Sequence, residues 1–263
     1  MVRTDGHAEE MELTIPVGQD TVWTEHLAGD GVPIVLLHPG IGDSRSWDLV
    51  MPGLDGRRVV RYDVRGYGRS PQPTTEFSLL GDLETVLDQL NLERVLLVGC
   101  SMGGSTALSF ALAHPERVHG LVLLCPGIPG FPMPEEPELD AQYDVLAADR
   151  DVEGLVQFGL RHWAAAGADD AVVAQLRAAV PAWFDQDEYL KPDPPVYDRL
   201  HEIQAPTVVM VGDKDRPILA AVAGATAARI PGCQFVWLPG TDHFPSLREP
   251  QLVTDTILRF AAG

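Results

Sequence analysis

Arg94-Val-Leu-Leu-Val-Gly-Cys-Ser-Met-Gly-Gly104 opens with four consecutive apolar residues, Val95–Val98. It then passes through the pentapeptide Gly99-Cys100-Ser101-Met102-Gly103 into an alanine-rich stretch of helical character. Strand, sharp turn and helix in that order are the context in which G-x-S-x-G forms a nucleophile elbow. A serine forced onto a strained turn projects its hydroxyl away from the sheet. Only residues without a bulky Cβ fit where helix and strand then crowd together. Gly104 extends the small patch by one position. Cys100 points back toward the packed side, which makes it a small core residue rather than a thiol nucleophile.

Outward from the elbow, apolar runs alternate with helical periodicity, the pattern of a mostly parallel sheet covered on both faces. Leu13–Val17 and Thr21–Leu27 read as an opening hairpin through Gly18-Gln19-Asp20. Pro33–Leu37, Arg58–Asp63, Val95–Val98, Gly120–Leu124, Pro206–Val211 and Gln234–Leu238 read as strands. Glu76–Leu90 and Thr106–Ala113 carry helical spacing, and a terminal helix is expected from Glu249-Pro250 to Ala262. Between Leu124 and Thr207 the composition changes. Two proline-rich segments, Ile128–Pro137 and Lys191–Pro195, bracket helical patches rich in aromatics. Residues 131–203 are therefore expected to form a helical lid inserted after the sixth strand, with residues 1–130 and 204–263 forming the core.

A chain of 263 residues buries enough apolar surface to need no disulfide or metal staple. Three widely spaced cysteines argue for a reducing compartment. The net charge of −19 repels phosphate backbones and anionic membranes, so neither nucleic acid nor a membrane is an expected partner. The polar, acidic start lacks a basic and apolar leader, and no apolar run reaches the length of a membrane span. The expected location is the cytoplasm, with the chain a monomer or homodimer.

A serine hydroxyl needs an imidazole to take its proton, and the imidazole needs a carboxylate to fix its tautomer. His243, in Gly240-Thr-Asp-His-Phe-Pro245, is the one of eight histidines placed in a loop after a strand and before the last helix. Asp213 and Asp215, in Gly212-Asp-Lys-Asp215, follow the preceding strand, and spacing alone does not choose between them. His38-Pro39-Gly40-Ile41-Gly42 follows another strand and can supply a backbone N–H to an oxyanion beside that of Met102. Pro39 has no N–H, so Gly40 or Ile41 must donate. His38 reads as a hydrogen-bonding post for this loop or as part of a substrate pocket.

These pieces, with Asp63-Val-Arg-Gly-Tyr-Gly-Arg-Ser70 and Leu247-Arg-Glu-Pro250, make the chain from Leu13 onward resemble the α/β-hydrolase superfamily. The resemblance implies an eight-stranded, mostly parallel α/β-hydrolase fold. It implies Ser101 as nucleophile, His243 as base, Asp215 rather than Asp213 as acid, and Gly40 as the oxyanion donor, with no cofactor or metal. Two positions depart from the pattern. Pro39 stands where a second glycine is common, and Asp242 stands where glycine usually precedes the histidine; Asp242 is expected either to raise the basicity of His243 or to face solvent.

Within the superfamily the elbow and compact lid are similar to enol-lactonases and to metal-free bromoperoxidases or perhydrolases. The implied activity is cleavage of a small carboxylic ester or lactone through an acyl-enzyme. Hydrolysis of a carbon–carbon bond or cofactor-free perhydrolysis by the same triad, or a weakly catalytic ligand-binding or biosynthetic accessory role on this fold, are the alternatives. Trp163, Trp183 and Phe184 are the expected pocket aromatics, and truncating Trp183 is expected to alter chain-length preference more than turnover of the smallest ester.

Overall fold

Fully buried strands read as unbroken apolar runs, and here such runs lie side by side at the centre of one sheet. The computed structural model describes residues 10–262, so the acidic start at residues 1–9 lies outside them. The strands are β1 (Glu10–Val17), β2 (Asp20–Leu27), β3 (Asp30–Leu37), β4 (Arg57–Tyr62), β5 (Val95–Cys100), β6 (Val118–Leu124), β7 (Thr207–Gly212) and β8 (Gln234–Leu238). They hydrogen-bond in the order β1-β2-β4-β3-β5-β6-β7-β8. The β1–β2 and β2–β4 pairs are antiparallel and the others parallel. The strands β1 and β3 start three residues earlier than their apolar runs, because their opening residues include exposed ones, Met11 and Glu12 in β1 and Asp30 and Gly31 in β3, that an unbroken apolar run does not mark.

The helices are α1 (Leu79–Gln89), α2 (Met102–Ala113), α3 (Pro137–Ala148), α4 (Val152–Trp163), α5 (Asp170–Tyr189), α6 (Pro217–Arg229), α7 (Pro245–Arg248) and α8 (Pro250–Ala261). Alternate residues of each central strand feed opposite faces. Val35, Leu37, Val95 and Leu97 join the core under α1, α2 and α6, whereas Ile34, Leu36, Leu96 and Val98 join the core under α8. Several helix starts have a local cause. Ser78 accepts from the Gly81 N–H at 3.1 Å to open α1, and Pro217 and Pro250 sit in the first turns of α6 and α8.

Helices α3, α4 and α5 lie between β6 and β7 and share a third apolar cluster of Leu155, Val156, Val172, Leu176 and Val180 with Ile41 and Phe244. The chain after α5 is tied back to the core. Lys191 N–H donates to the Phe77 carbonyl at 2.7 Å, and Phe77 N–H to that of Tyr189 at 3.0 Å. The Asp63–Ser70 turn is structural: Asp63 is buried and accepts from the backbone N–H groups of Ser44 and Arg69, both at 2.8 Å. No described helix is long and apolar enough to cross a membrane.

Candidate active site

In this sheet the loops after β3, β5, β6, β7 and β8 leave adjacent strands at one edge, the edge where α/β sheets hold ligands. The elbow is built by close approach. A Cβ on Gly99 would lie 2.3 Å from the Gly103 carbonyl oxygen, and one on Gly103 would lie 2.2 Å from that of Leu37. The glycines thus let α2 press against β5 and β3. Ser101, at the junction, has φ +49° and ψ −110°, a conformation that costs a non-glycine residue about 1–3 kcal/mol. Its backbone over-determines that strain: Ser101 N–H donates to the Leu124 carbonyl at 2.9 Å, and its own carbonyl accepts from Ser105 and Gly127, both at 3.0 Å.

The expected acid and base meet across the ends of β7 and β8. His243 Nδ1 donates to Asp215 Oδ2 at 2.7 Å, and both residues are buried. A carboxylate only accepts, so Nδ1 carries the proton and Nε2 is the nitrogen left to serve as a base. Asp213 is placed elsewhere. It is exposed, and its carboxylate accepts from the Gly240 N–H at 2.7 Å, bracing the acid loop against the histidine loop. Burial alone would raise the Asp215 carboxyl. The imidazole of His243, the Arg216 N–H and the Cys125 thiol outweigh burial and hold it below the ordinary carboxylate value. Cys125, at φ +44° after β6, has its own thiol pushed well up by burial, with the Asp215 charge adding to the effect. It is a neutral donor to the carboxylate.

Cys125, Asp215 and His243 form the one grouping of potential metal ligands among the described residues, their donor atoms within 4.8 Å of one another. The hydrogen bonds just described already engage those atoms with each other.

The loop after β3 is fixed from both sides. Val64 N–H donates to His38 Nε2 at 3.0 Å, which puts the His38 proton on Nδ1, and that N–H reaches the Pro39 carbonyl at 2.9 Å. Both ring nitrogens of His38 are therefore engaged by backbone, and the side chain is buried, so it offers a ligand nothing. Gly42 N–H also donates to the Pro39 carbonyl, at 3.2 Å. With that carbonyl anchored, the Gly40 N–H points the opposite way across the trans peptide. Gly40 adjoins the elbow: a Cβ built on it would lie 3.7 Å from Met102 Cβ. The two expected oxyanion donors are thus neighbours, with the Met102 N–H in the first turn of α2.

The aromatic residues expected in the lid have different places. Trp183 donates its indole N–H to the Gly40 carbonyl at 2.7 Å and packs edge-on against Trp163, ring centres 6.0 Å apart. Trp163 accepts from the His243 N–H through its backbone carbonyl at 3.2 Å. Phe184 stacks beneath the exposed Arg150 guanidinium, 4.5 Å from ring centre to charge.

Asp242 neither faces solvent nor bonds the imidazole. It is fully buried and accepts from Ala166 N–H at 2.9 Å, Phe244 N–H at 3.2 Å, and Arg248 Nε and Nη2 at 3.2 and 3.0 Å. Arg248 continues to the Gly167 carbonyl and to Asp169, so the turn between α4 and α5 is stapled to the histidine loop. Gln175, which accepts from the Asp43 N–H at 3.0 Å, and Cys125, which reaches Asp215, carry no signal in the sequence as site neighbours, because their partners lie far along the chain.

A model of the alpha/beta hydrolase family matches residues 34–256. The 2-hydroxymuconate semialdehyde hydrolase of Pseudomonas sp. (strain CF600) is 33% identical over 181 residues, which span 61% of this chain and 64% of that protein. The 2-hydroxy-6-oxo-2,4-heptadienoate hydrolase of Pseudomonas putida F1 is 31% identical over 82% of this chain and 83% of its own length. Among solved structures, Est816, described as an N-acyl homoserine lactone degrading enzyme, superposes with a TM-score of 0.77 at 27% identity, over 94% of this chain and all of that one. The enol-lactonase of Burkholderia xenovorans LB400 has a TM-score of 0.81 at 22% identity, over 95% of this chain and all of that one, a likeness of fold. The matched span takes in the elbow, the acid and histidine loops and the whole parallel part of the sheet, and the chain belongs to the α/β-hydrolase family and is a hydrolase.

Proposed function

We propose that this chain cleaves a small carboxylic ester or lactone through an acyl-enzyme on Ser101. Ser101 Oγ attacks the carbonyl carbon as His243 Nε2 takes its proton, and Asp215 holds the imidazole and stabilises its cationic form. The Gly40 and Met102 N–H groups face the charge that develops on the former carbonyl oxygen. The intermediate collapses, Nε2 returns the proton to the leaving alkoxide, and water activated by the same nitrogen releases the acid. Every step uses groups of this chain.

The observation that carries the reading is the buried 2.7 Å His243–Asp215 pair after β7 and β8, at the same end of the sheet as a serine held in a strained backbone conformation after β5. Similarity to a lactone-degrading enzyme at 27% identity supports the lactone or ester substrate. The test is Ser101→Ala. Hydrolysis of p-nitrophenyl acetate is expected to fall at least about a thousandfold, and labelling by a fluorophosphonate to disappear. Near-parental turnover by that variant removes the reading. Absence of labelling in the parent protein favours a binding or accessory role instead.

A second reading, hydrolysis of a carbon–carbon bond in a vinylogous diketone, uses the same triad. The relatives named as hydrolases of a hydroxy-oxo-dienoate and of a muconate semialdehyde favour it. Loss of the dienoate chromophore with no activity on esters or lactones would select it.

A further inference from the structure

We infer that Trp183 is a positioning residue of the oxyanion hole, so that seating of the lid and competence to stabilise the oxyanion are one event; this rests on the acyl-enzyme reading above. An indole N–H withdrawn even partly from water takes whatever acceptor its surroundings offer, and Trp183 is half-buried. Here the acceptor is no lid group but the Gly40 carbonyl, 143 residues away in sequence, at 2.7 Å. The indole itself is held in place. Tyr143 donates its hydroxyl to the Trp183 carbonyl at 3.0 Å, and the indole packs against the rings of Tyr143 and Trp163.

The physical argument is about one peptide. The Pro39 carbonyl is anchored by His38 and Gly42, which aims the Gly40 N–H. The next peptide, Gly40–Ile41, has no such anchor from its own loop among the described residues, and a glycine lacks the Cβ that resists peptide rotation. Freed of the indole, the Gly40 carbonyl can turn. A turned carbonyl sets a negative dipole beside Met102, where the reaction needs a positive one.

A second contact from the same helix supports the coupling. Gln175, two helical turns earlier on α5, is buried and accepts from the Asp43 N–H at 3.0 Å through Oε1. Helix α5 therefore grips the loop at both Gly40 and Asp43. This differs from the pocket-wall role expected of Trp183 from sequence, because a wall residue acts through its ring and not through its N–H.

The test separates ring from N–H. Trp183 is replaced by phenylalanine and, separately, by 3-benzothienylalanine, which keeps the bicyclic shape with sulfur in place of N–H. For p-nitrophenyl acetate, kcat is expected to fall about tenfold or more in both variants while KM stays within about twofold, since a carbonyl dipole turned toward the oxyanion opposes the charge that the donors stabilise. Fluorophosphonate labelling of Ser101 slows in parallel, and amide exchange across residues 40–43 quickens. Wild-type kcat in the benzothienyl variant, with only long-chain KM altered, overturns the proposal. If the parent protein neither hydrolyses esters nor labels, the acyl-enzyme reading is what fails. Exchange at residues 40–43 still decides on Trp183: unchanged exchange in the benzothienyl variant overturns its positioning role, and faster exchange supports it.

Discussion

Replacing Arg248 by leucine probes the staple between the α4–α5 turn and the histidine loop. Asp242 has no solvent exposure and four donors: two backbone N–H groups and two nitrogens of Arg248. Arg248→Leu leaves the two backbone bonds and an uncompensated buried carboxylate. Breaking a fully buried pair costs about 3–5 kcal/mol. The Arg248 side chain is 15% exposed, so water reaches the vacated space, and about 2–4 kcal/mol is the expected loss here.

Asp242→Asn alone also costs, about 1–3 kcal/mol, because its new NH2 group faces a backbone N–H or the guanidinium where an acceptor stood. The double variant no longer buries an orphaned charge. It is therefore expected to be about 1–3 kcal/mol more stable than the sum of the singles requires. Urea unfolding of the four proteins, with equal m-values as the check on two-state behaviour, gives the cycle. Strict additivity, or a loss below about 0.5 kcal/mol for Arg248→Leu, would refute the argument that this carboxylate depends on its arginine.

Asp215→Asn is expected to lower kcat about a thousandfold or more at neutral pH, because the amide no longer fixes the His243 tautomer. The Asp215 carboxyl sits below its ordinary value, so the folded state binds that proton more weakly than the unfolded chain does. The resulting stability is complete above the unfolded value, about 3.9, and is lost as pH falls through the lower folded value. Asp215→Asn should flatten the fall in Tm on acidification in that window, measured by thermal scans from neutral pH downward; an unchanged slope counts against it. Gly103→Ala places a Cβ 2.2 Å from the Leu37 carbonyl oxygen, which is backbone, and is expected to cost at least about 2 kcal/mol. Gly224→Ala, in α6 with nothing within 4 Å, is expected to stabilise by about 0.5–1 kcal/mol; if both substitutions proved neutral in urea unfolding, close packing at the elbow would not be the reason for its glycine.

The local signals in this chain reached a long way. Apolar runs and helical spacing are set by burial over a few residues, so Val95–Val98, Ser101 and the alanine-rich helix could be read together as strand, turn and helix. The same logic set His243 and the Asp213–Asp215 pair at strand ends. What it left open was everything decided by the turn after a strand. Only the folded loop puts Asp215 inward against His243 and sends Asp213 to the Gly240 N–H.

Asp242 stood out in the sequence as a departure from the glycine usual before the histidine, but its partners, Ala166 and Arg248, come from the lid turn and from α7. Trp183 read as an aromatic of the lid, and its bond to Gly40 spans 143 positions. Residue type and spacing record how a segment meets its immediate neighbours. Which distant polar atom a side chain reaches is fixed by strand order and by the docking of α5 over the loop after β3, and those exist only once the chain has folded.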